Sequence, residues 1–483
     1  MNFRNVLSVL GGFLTILGAS MLLPLGCSLL YGEPDTKAIV VSLAVTCGSG
    51  SLLFFCFRPK DKRNALTHRE GFLIVSLGWI SASLFGSLPY MIHGVLPSFS
   101  DAFFETISGF TTTGATVIRN IDALPHGILL WRALAQWLGG MGIIILAVAI
   151  LPFLGVGGRQ LFKAEVPGPA KDKLTPRIVE TARALWIIYI ILSIAEFVFL
   201  LLGGMSLFDS VCHTFATMAT GGFSTRDASV GHYNSAYIDA VITIFMALAG
   251  MNFTLHYCML TGDVRSCYRD PELRFYLGVI LAATVIVTLD LRFHIFQSLE
   301  TAFRYAVFQV VSVITTTGFT TDNFAKWPAL SQIILLLLMF IGGSQGSTGG
   351  AIKCIRMLLI FKHTYKELYR LIHPHAVVRV KLGQQMIPLE TMQSVWGFFA
   401  LYLGIAVLAT VLMSSLGLDM MTSFSSVAAT LGNVGPGLGL VHPATTYADI
   451  PVAGKWILSF CMLVGRLELY TVIILLVPEF WKK

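Results

Sequence analysis

Charged residues are scarce in this chain of 483 residues. Only 12% of its residues are Asp, Glu, Lys or Arg, whereas 55% are hydrophobic, and the mean hydropathy is +0.75. This composition excludes an ordinary soluble domain, in which about a quarter of the residues carry charge. Apolar runs of about twenty residues recur along the chain, and a helix of that length crosses a bilayer. The composition therefore predicts an all-α polytopic membrane protein.

Metal and disulfide motifs are missing as well. The eight cysteines include no CxxC pair, and the eleven histidines form no ligand set, since the nearest two flank Pro374 in a basic stretch. Free, packed thiols and no bound cofactor are therefore expected. The apolar stretch 6–31 has no small-residue cleavage site, which favours a retained helix over a removed signal peptide.

Two stretches match enzyme motifs without the surroundings that those motifs need. Residues 342–346 match GxSxG, but a nucleophile elbow joins a strand to a helix, whereas a long apolar run precedes this one. Residues 346–353 lack the Gly-Lys-Ser/Thr ending of a phosphate loop. The sequence therefore predicts no catalytic residue and a protein that is not an enzyme.

Four short Thr/Gly segments share one pattern, with Thr or Asn two residues before a Gly. Their glycines are 108, 96 and 117 residues apart. The candidate site residues of the four segments are Thr112, Thr113 and Gly114; Thr220, Gly221 and Gly222; Thr316, Thr317 and Gly318; and Asn433, Val434 and Gly435. One copy would be interpreted as an ordinary turn. Four copies at similar spacing in one apolar chain favour a common structure.

That common structure is predicted to be a cation filter. Gly allows backbone conformations that aim successive carbonyls the same way. A ring of such carbonyls replaces the water shell of a dehydrated alkali cation. Non-helical backbone at membrane depth is tolerated where it is buried in protein or lines a wet cavity.

The spacing predicts four membrane–pore–membrane repeats around a central pore, preceded by an N-terminal two-helix hairpin. The predicted units are the hairpin 1–64 and the repeats 65–165, 166–270, 271–385 and 386–483. The hairpin helices are 6–31 and 38–57. The first helices of the repeats are 71–94, 184–203, 275–292 and 392–415. The pore helices are 100–110, 207–218, 298–314 and 418–430. The second helices are 127–153, 236–260, 329–361 and 452–478. This plan has ten spanning helices and four re-entrant segments.

Lys and Arg are distributed unevenly over this plan. With the N-terminus in the cytoplasm, 24 of them face the cytoplasm, 7 face outside, and Arg132 and Arg466 lie within helices. The cytoplasmic excess follows the positive-inside rule. The prediction is therefore that both termini are cytoplasmic and that all four Thr/Gly segments lie on the outer side. The same distribution explains the net charge of +7 without nucleic acid.

Acidic residues lie on or near the pore helices. The C-terminal ends of these helices would point towards the pore centre, where their partial negative charge favours a cation. Glu105 is predicted either to bond the neighbouring filter backbone or to lie near water as an acid in the first turn of its helix. Asp101 and Asp209 lie nearby.

A glycine-rich segment interrupts the second helix of the third repeat. It consists of Gly342, Gly343, Ser344, Gln345, Gly346, Ser347, Thr348, Gly349 and Gly350. Each glycine costs about 1 kcal/mol relative to Ala in a helix, so we expect an irregular loop that lines the pore. Its small polar groups and flexibility predict a gate below the filter. The alternative is close helix packing by small residues.

Arg466 aligns with Ser344 when the repeats are superposed. A guanidinium at mid-membrane is costly and is expected to face the bundle interior with a partner. It would act either as an electrostatic barrier below the filter or as an anchor for the glycine-rich loop. Glu468 is not an obvious partner, because residues two apart on a helix point in different directions. Lys353 either enters the pore mouth or is the first cytoplasmic charge.

These motifs together resemble the Trk/Ktr/HKT superfamily of potassium-uptake proteins, over essentially the whole chain. The resemblance rests on the four glycine-bearing segments, the loop 342–350 and the pair Gly465-Arg466. The hairpin before the first repeat, the chain length and the stretch 433–437 are similar to the bacterial Trk-type membrane subunit. The fourth segment departs most from the Thr-rich pattern, with Asn433 and Val434.

The resemblance implies several properties. Gly at all four filter positions implies potassium selectivity, with potassium as substrate, and the loop 342–350 with Arg466 corresponds to the intramembrane gate of the family. Family members are homodimers, and the similarity to a bacterial subunit implies that this chain lies in the bacterial inner membrane. Bacterial ones bind a cytoplasmic regulatory ring with nucleotide-binding domains of the RCK type, similar to TrkA. A proton- or sodium-coupled secondary transporter is the alternative, although such proteins usually have inverted repeats and acids at the midplane.

Overall fold

The computed structural model describes residues 1–58, 67–149, 174–376, 378–383 and 385–482. Most of the predicted basic loops 58–69 and 159–183 lies outside these residues. The same is true of the predicted helix end at 150–153 and of the boundaries of the first repeat, near residues 64 and 165.

The described part of the chain is mostly helical, as expected from its composition. The N-terminal hairpin contains α1 (Phe3–Ser20), α2 (Leu22–Tyr31) and α3 (Thr36–Cys56). The first helices of the repeats are α4 (His68–Gly86) with α5 (Leu88–His93), α8 (Leu174–Leu202), α13 (Pro271–His294) and α17 (Leu389–Ser415). The pore helices are α6 (Phe99–Phe110), α9 (Leu207–Met218), α14 (Leu299–Ile314) and α18 (Met420–Leu431).

The second helices are broken in three of the four repeats. They are α7 (His126–Ala149), α10 (Ala236–Ala249) with α11 (Phe253–Leu260), α15 (Ala329–Ile341) with α16 (Cys354–Ile372), and α19 (Val452–Arg466) with α20 (Tyr470–Ile473). Two short helices, α12 (Val264–Arg269) and α21 (Pro478–Trp481), lie outside the repeat pattern. An antiparallel pair of two-residue strands, β1 (Lys381–Leu382) and β2 (Gln385–Met386), precedes α17.

The N-terminal hairpin turns where the sequence predicts, at residues 32–35. Gly32 ends α2 with a left-handed φ of 68°. Helices α1 and α3 then pack closely through small residues, and any Cβ on Gly11 or Gly50 would collide with the backbone of the opposite helix. The turn docks on the first repeat through Asp35, whose carboxylate accepts a hydrogen bond of 3.0 Å from the Ile128 amide.

The ten predicted spanning helices are not all continuous in the described part of the chain. Within the described residues, seven uninterrupted segments are long and apolar enough to cross a bilayer, and two bent pairs raise the number to nine at most. The one predicted span that these segments do not include, 329–361, is interrupted at residues 342–353, where the glycine-rich loop was expected.

Two predicted continuous helices, 236–260 and 452–478, are sharply bent instead. Helices α10 and α11 meet at 99°, because Asn252 caps a new helix there by accepting a hydrogen bond from the Thr254 amide. Helix α19 is bent by 112° relative to the segment that follows it, and Glu468 and Leu469 at this bend adopt left-handed φ angles of 56° and 50°. The apolar character of both stretches continues through the bend, so hydropathy alone did not reveal it.

Candidate functional site: a four-segment filter and the loop beneath it

The four Thr/Gly segments share one backbone conformation. Each follows the C-terminal end of a pore helix and places Thr or Asn in the left-handed region, which ends the helix. These φ angles are 52° at Thr112, 53° at Thr220, 62° at Thr316 and 55° at Asn433. Two residues later the glycine also has positive φ, with 81° at Gly114, 74° at Gly222, 82° at Gly318 and 97° at Gly435. The equivalence of the four segments in the sequence thus extends to their main-chain geometry.

The four segments close into one ring. Each filter glycine lies against the carbonyl of the residue that precedes the glycine in the next segment, so that an added Cβ would overlap that carbonyl. The contacts run from Gly114 to Gly221, from Gly222 to Thr317, from Gly318 to Val434, and from Gly435 back to Thr113. Only a residue without a side chain fits at these four positions, which ties the glycine pattern to the closed ring.

Most main-chain carbonyls of this ring have no donor. Within the described part of the chain, Gly221 and Gly435 are the only candidate filter residues whose carbonyls accept hydrogen bonds, and the other ten do not. Buried carbonyls are nearly always paired in folded proteins, so a group of ten without partners is unusual. Such oxygens are suited to coordinate a desolvated cation.

The two exceptions attach the ring to the surrounding helices. The Gln136 side chain donates to the Gly221 carbonyl at 2.6 Å and accepts from the Phe223 amide at 3.1 Å. The Tyr447 hydroxyl donates to the Gly435 carbonyl at 2.6 Å. Both side chains are buried, and neither stands out in the sequence, where a Gln in a membrane helix and a Tyr in a loop carry no motif.

Glu105 lies on the pore helix before the first Thr/Gly segment and is fully buried. This burial excludes the predicted alternative, in which the Glu105 side chain lies near water. Its carboxylate accepts hydrogen bonds of 2.9 Å from the Val117 amide and from Arg132 Nε. The Thr116 hydroxyl donates to the same carboxylate. Arg132 also donates to the Ser224 carbonyl at 3.1 Å. This buried pair therefore links the first segment to the second.

The other two predicted acids have different partners. Asp209 accepts a hydrogen bond of 2.6 Å from the Thr225 hydroxyl, just beyond the second filter segment, and one of 3.3 Å from Arg226. Asp101 pairs with Lys455 at 2.6 Å. Asp209 thus supports the second Thr/Gly segment, whereas Asp101 joins the first repeat to the fourth.

The glycine-rich loop lies directly against the filter segments. The Gly350 amide donates to the Thr316 hydroxyl at 2.7 Å. The Thr348 hydroxyl contacts the carbonyls of Met218 and Ala249 at 3.1 and 3.2 Å. A Cβ on Gly350 would also overlap the Gly432 carbonyl. The loop therefore contacts the second, third and fourth repeats at the level where their pore helices end.

Arg466 anchors this loop. Its guanidinium is buried and donates to the Thr348 carbonyl at 2.5 Å and to the Gly139 carbonyl at 3.2 Å. Lys353 is buried as well, and its ammonium donates to the Gly349 carbonyl. Of the two roles considered for Arg466, the contacts match the anchor. This burial does not fit a solvent-exposed cytoplasmic charge, and the position of Lys353 in the pore mouth stays a prediction.

Two further buried carboxylates lie beside the loop and the helix that follows it. Glu272 accepts a hydrogen bond of 2.6 Å from the Gln345 amide, and Glu468 pairs with Arg356. Glu468 is thus not the partner of Arg466, as the helix geometry predicted. Neither Glu272 nor Arg356 stands out in the sequence, because both lie next to other charges in segments that are predicted to be cytoplasmic. Ser344, the serine of the GxSxG match, has no hydrogen-bond partner for its hydroxyl among the described residues.

A cavity of about 120 Å³ opens at the ring and is called the outer cavity, after the side on which the sequence predicts the filter to lie. All four filter glycines line it, together with polar groups such as Thr116 and Ser224. Among the described residues, no group of three or more His, Cys, Asp or Glu side chains is arranged to hold a metal ion. The oxygen atoms that line this cavity belong to the backbone, to threonine and serine hydroxyls, to the Tyr447 hydroxyl and to the Asp227 carboxylate.

Comparisons with known proteins agree with this architecture. The family model TrkH, described as a cation transport protein, matches residues 36–483. The potassium uptake protein TrkH of the Trk system is 46% identical in Salmonella typhimurium and 45% identical in Escherichia coli, in each case over 488 residues and the full length of both chains. The crystal structure of the potassium transporter TrkH from Vibrio parahaemolyticus superposes with a TM-score of 0.92 at 42% identity and covers both chains completely. The predicted fold class, an all-α polytopic membrane protein, is thereby confirmed.

Proposed function

The chain belongs to the TrkH family of cation transport proteins, and from this membership we propose that it is a gated pore for potassium uptake across the bacterial inner membrane. The observation that carries the proposal is the closed ring of four segments with ten carbonyls that have no donor among the described residues, eight of them on buried residues. These carbonyls would take the place of the water shell of the ion.

Potassium is the proposed substrate for two reasons. The relatives from Salmonella typhimurium and Escherichia coli are named as potassium uptake proteins, and the resemblance stated above links glycine at all four positions to potassium selectivity. Gly114, Gly222, Gly318 and Gly435 supply these glycines. In the proposed mechanism the ion sheds its water in the outer cavity, passes the carbonyl ring and then meets the loop below.

The loop 342–350 is the proposed gate. Its support is its position against three of the four repeats and its attachment by Arg466, Thr348 and Lys353. Flux would require the loop to exchange these contacts for another arrangement. Because each contact is a separate hydrogen bond, the closed state would be favoured by several small contributions rather than by one large one.

Regulation is proposed to come from outside this chain. The sequence contains no nucleotide-binding motif, so nucleotide control would require a cytoplasmic partner, proposed to be a ring of RCK-type, TrkA-like domains on a homodimer of this chain. The basic side of the chain, with 24 of the 33 Lys and Arg residues, is proposed to face that partner with both termini.

Ion flux into liposomes that contain the purified protein tests the filter. We expect passive flux of potassium and rubidium to exceed that of sodium and lithium by at least about tenfold. Equal flux of all four ions would contradict the filter. Flux that appears only with an imposed proton or sodium gradient would instead support the coupled secondary transporter.

Deletion of residues 342–350 tests the gate. We expect the deletion variant to keep the ion ranking while its flux without partner rises. An alanine exchange at Ser344 serves as the control, since the Ser344 hydroxyl makes no hydrogen bond among the described residues and its loss should leave flux unchanged. A folded deletion variant that conducts no better than the parent protein would refute the gate while leaving the filter intact.

A further inference from the structure

A second cavity, of about 420 Å³, lies far from the filter on the basic side of the chain. It is enclosed by α16, the β1–β2 hairpin and the first turn of α17. Its volume falls in the range of about 300–1,000 Å³ that is typical of pockets for small molecules. The potassium pathway and the gate make no use of it.

The lining of this cavity combines two kinds of side chain, which are called its basic half and its apolar half. The basic half consists of His363 and Lys366 from α16 and Arg379 from the segment before β1, and the apolar half includes Ile387 and Met392. None of the described lining residues is acidic. The cavity is therefore suited to a ligand with an anionic group at one end and an apolar part at the other.

The basic side chains are only weakly neutralised. Arg379 donates to Met386 Sδ and has no carboxylate partner among the described residues. Lys366 lies 3.4 Å and His363 3.7 Å from the half-exposed carboxylate of Glu367. Exposed pairs of this kind contribute about 0–1 kcal/mol, so a bound anion would compete with them. His363 Nδ1 accepts from the Trp396 indole, which leaves Nε2 as the protonated nitrogen that donates.

The site is held in shape and lies at the level of the membrane surface. Lys362 donates to the Lys381 carbonyl at 2.8 Å and so fastens the β-hairpin to α16. Trp396, in the second turn of the spanning helix α17, is of the type that marks the boundary between headgroups and acyl chains. Leu389, which lines the cavity, and Phe361 on α16 are 65% and 56% exposed, as expected for side chains that face lipid.

We propose that this cavity binds an anionic phospholipid, with the phosphate at His363, Lys366 and Arg379 and an acyl chain along the start of α17. Anionic lipids are attracted to basic pockets between membrane helices on the cytoplasmic side. The apolar half and the neighbouring lipid-facing side chains favour a lipid over a free phosphate ion, which would leave that half empty.

Native mass spectrometry of the purified full chain tests the proposal with phosphatidylglycerol and phosphatidylcholine of the same acyl chains. We expect the parent protein to retain at least about tenfold more phosphatidylglycerol. The double exchange Lys366→Gln with Arg379→Gln should reduce this preference to within about twofold. Both side chains are partly or fully exposed, so we expect the thermal midpoint to stay unchanged.

A matched control removes the same number of charges from the same face. Arg370 on α16 and Arg274 on α13 do not line the cavity, and Arg370→Gln with Arg274→Gln should keep the parent preference. An equal loss in the control variant, or an unchanged preference in the test variant, would overturn the proposal. Displacement of the bound lipid by millimolar inorganic phosphate would reassign the cavity to a simple anion site and also overturn it. These outcomes do not depend on whether the pore selects potassium.

Discussion

The conformation of a single glycine determines whether the ring can close. Gly318 has φ +82°, and an added Cβ would overlap the Val434 carbonyl and approach Pro436. We expect Gly318→Ser to displace this carbonyl and to lower the ratio of potassium to sodium flux by about tenfold, which corresponds to about 1.4 kcal/mol. Liposome flux of both ions measures the ratio.

Gly204 provides a control for backbone strain. Its φ of +84° is almost the same, but no atom lies within 4 Å of an added Cβ. The strained φ angle should therefore cost Gly204→Ser about as much stability as it costs Gly318→Ser. The ratio of potassium to sodium flux should stay unchanged in Gly204→Ser. If both serine variants lost selectivity equally, the effect of Gly318→Ser would come from strain and not from the ring contact.

Gln136 gives a second prediction for single residues. Gln136→Leu would leave both the Gly221 carbonyl and the Phe223 amide without their partner, and a buried group without a partner costs about 1–3 kcal/mol. We expect a lower thermal midpoint and a several-fold loss of potassium preference. Gln332→Leu, which breaks two bonds to carbonyls away from the filter, should lower only the midpoint. Unchanged selectivity in Gln136→Leu would show that this segment is held without Gln136.

The sequence predicted the residues of the ring better than the residues that hold it. Thr and Gly recur at fixed positions in four segments, so their common conformation could be predicted from the repeat. Gln136 and Tyr447 occur once each and act through contacts between distant parts of the chain, which no local pattern records. Glu105 was predicted to lie near a filter segment, but its pairing with Arg132 required the packing of two helices to be known.

At the scale of a structural element, the glycine-rich loop is held by several separate hydrogen bonds, of which those of Thr348 can be removed without changing the size of the side chain. The Thr348 hydroxyl lies close to two carbonyls of the second repeat. Thr348→Val keeps the shape but removes these contacts, worth about 1 kcal/mol together. We therefore expect about a fivefold rise in flux without the regulatory partner, measured in liposomes.

Thr410→Val is the matched control for this element. The Thr410 hydroxyl bonds only to the Ala406 carbonyl of its own helix, α17, so its loss should leave flux unchanged. A decrease in flux for Thr348→Val would mean that the hydroxyl assists the passage of the ion rather than holding the loop closed.

The loop was predictable as an element because five glycines in nine residues do not form a stable helix. The bends after α10 and α19 were not predictable in this way, because each bend contains fewer glycines and the apolar run continues through it. Asn252 was the available signal for the first bend, as a helix cap within a membrane segment. For the second bend, the charges of Arg466 and Glu468 two residues apart were the corresponding signal.

At the scale of the whole molecule, the orientation of the chain in the membrane connects the filter to its regulation. The count of 24 against 7 basic residues predicts that the filter opens to the outside and that both termini are cytoplasmic. Arg119, which pairs with the exposed Asp449, lines the outer cavity. Lys482 is next to the last residue of the chain and is predicted to lie on the cytoplasmic side. Single cysteines at Arg119 and Lys482 would therefore report the two sides separately, once the eight native cysteines are replaced by serine or alanine.

We expect a membrane-impermeant maleimide to label Arg119→Cys in intact cells and to label Lys482→Cys only after the membrane is opened. Both side chains are more than two-thirds exposed, so poor access within the protein would not explain an unlabelled site. Labelling of Lys482→Cys in intact cells would show that the chain has the opposite orientation to the predicted one. The loop would then face the incoming ion before the filter does, and the lipid cavity would lie in the outer leaflet, so the direction of gating and the identity of the lipid would both have to be reassigned.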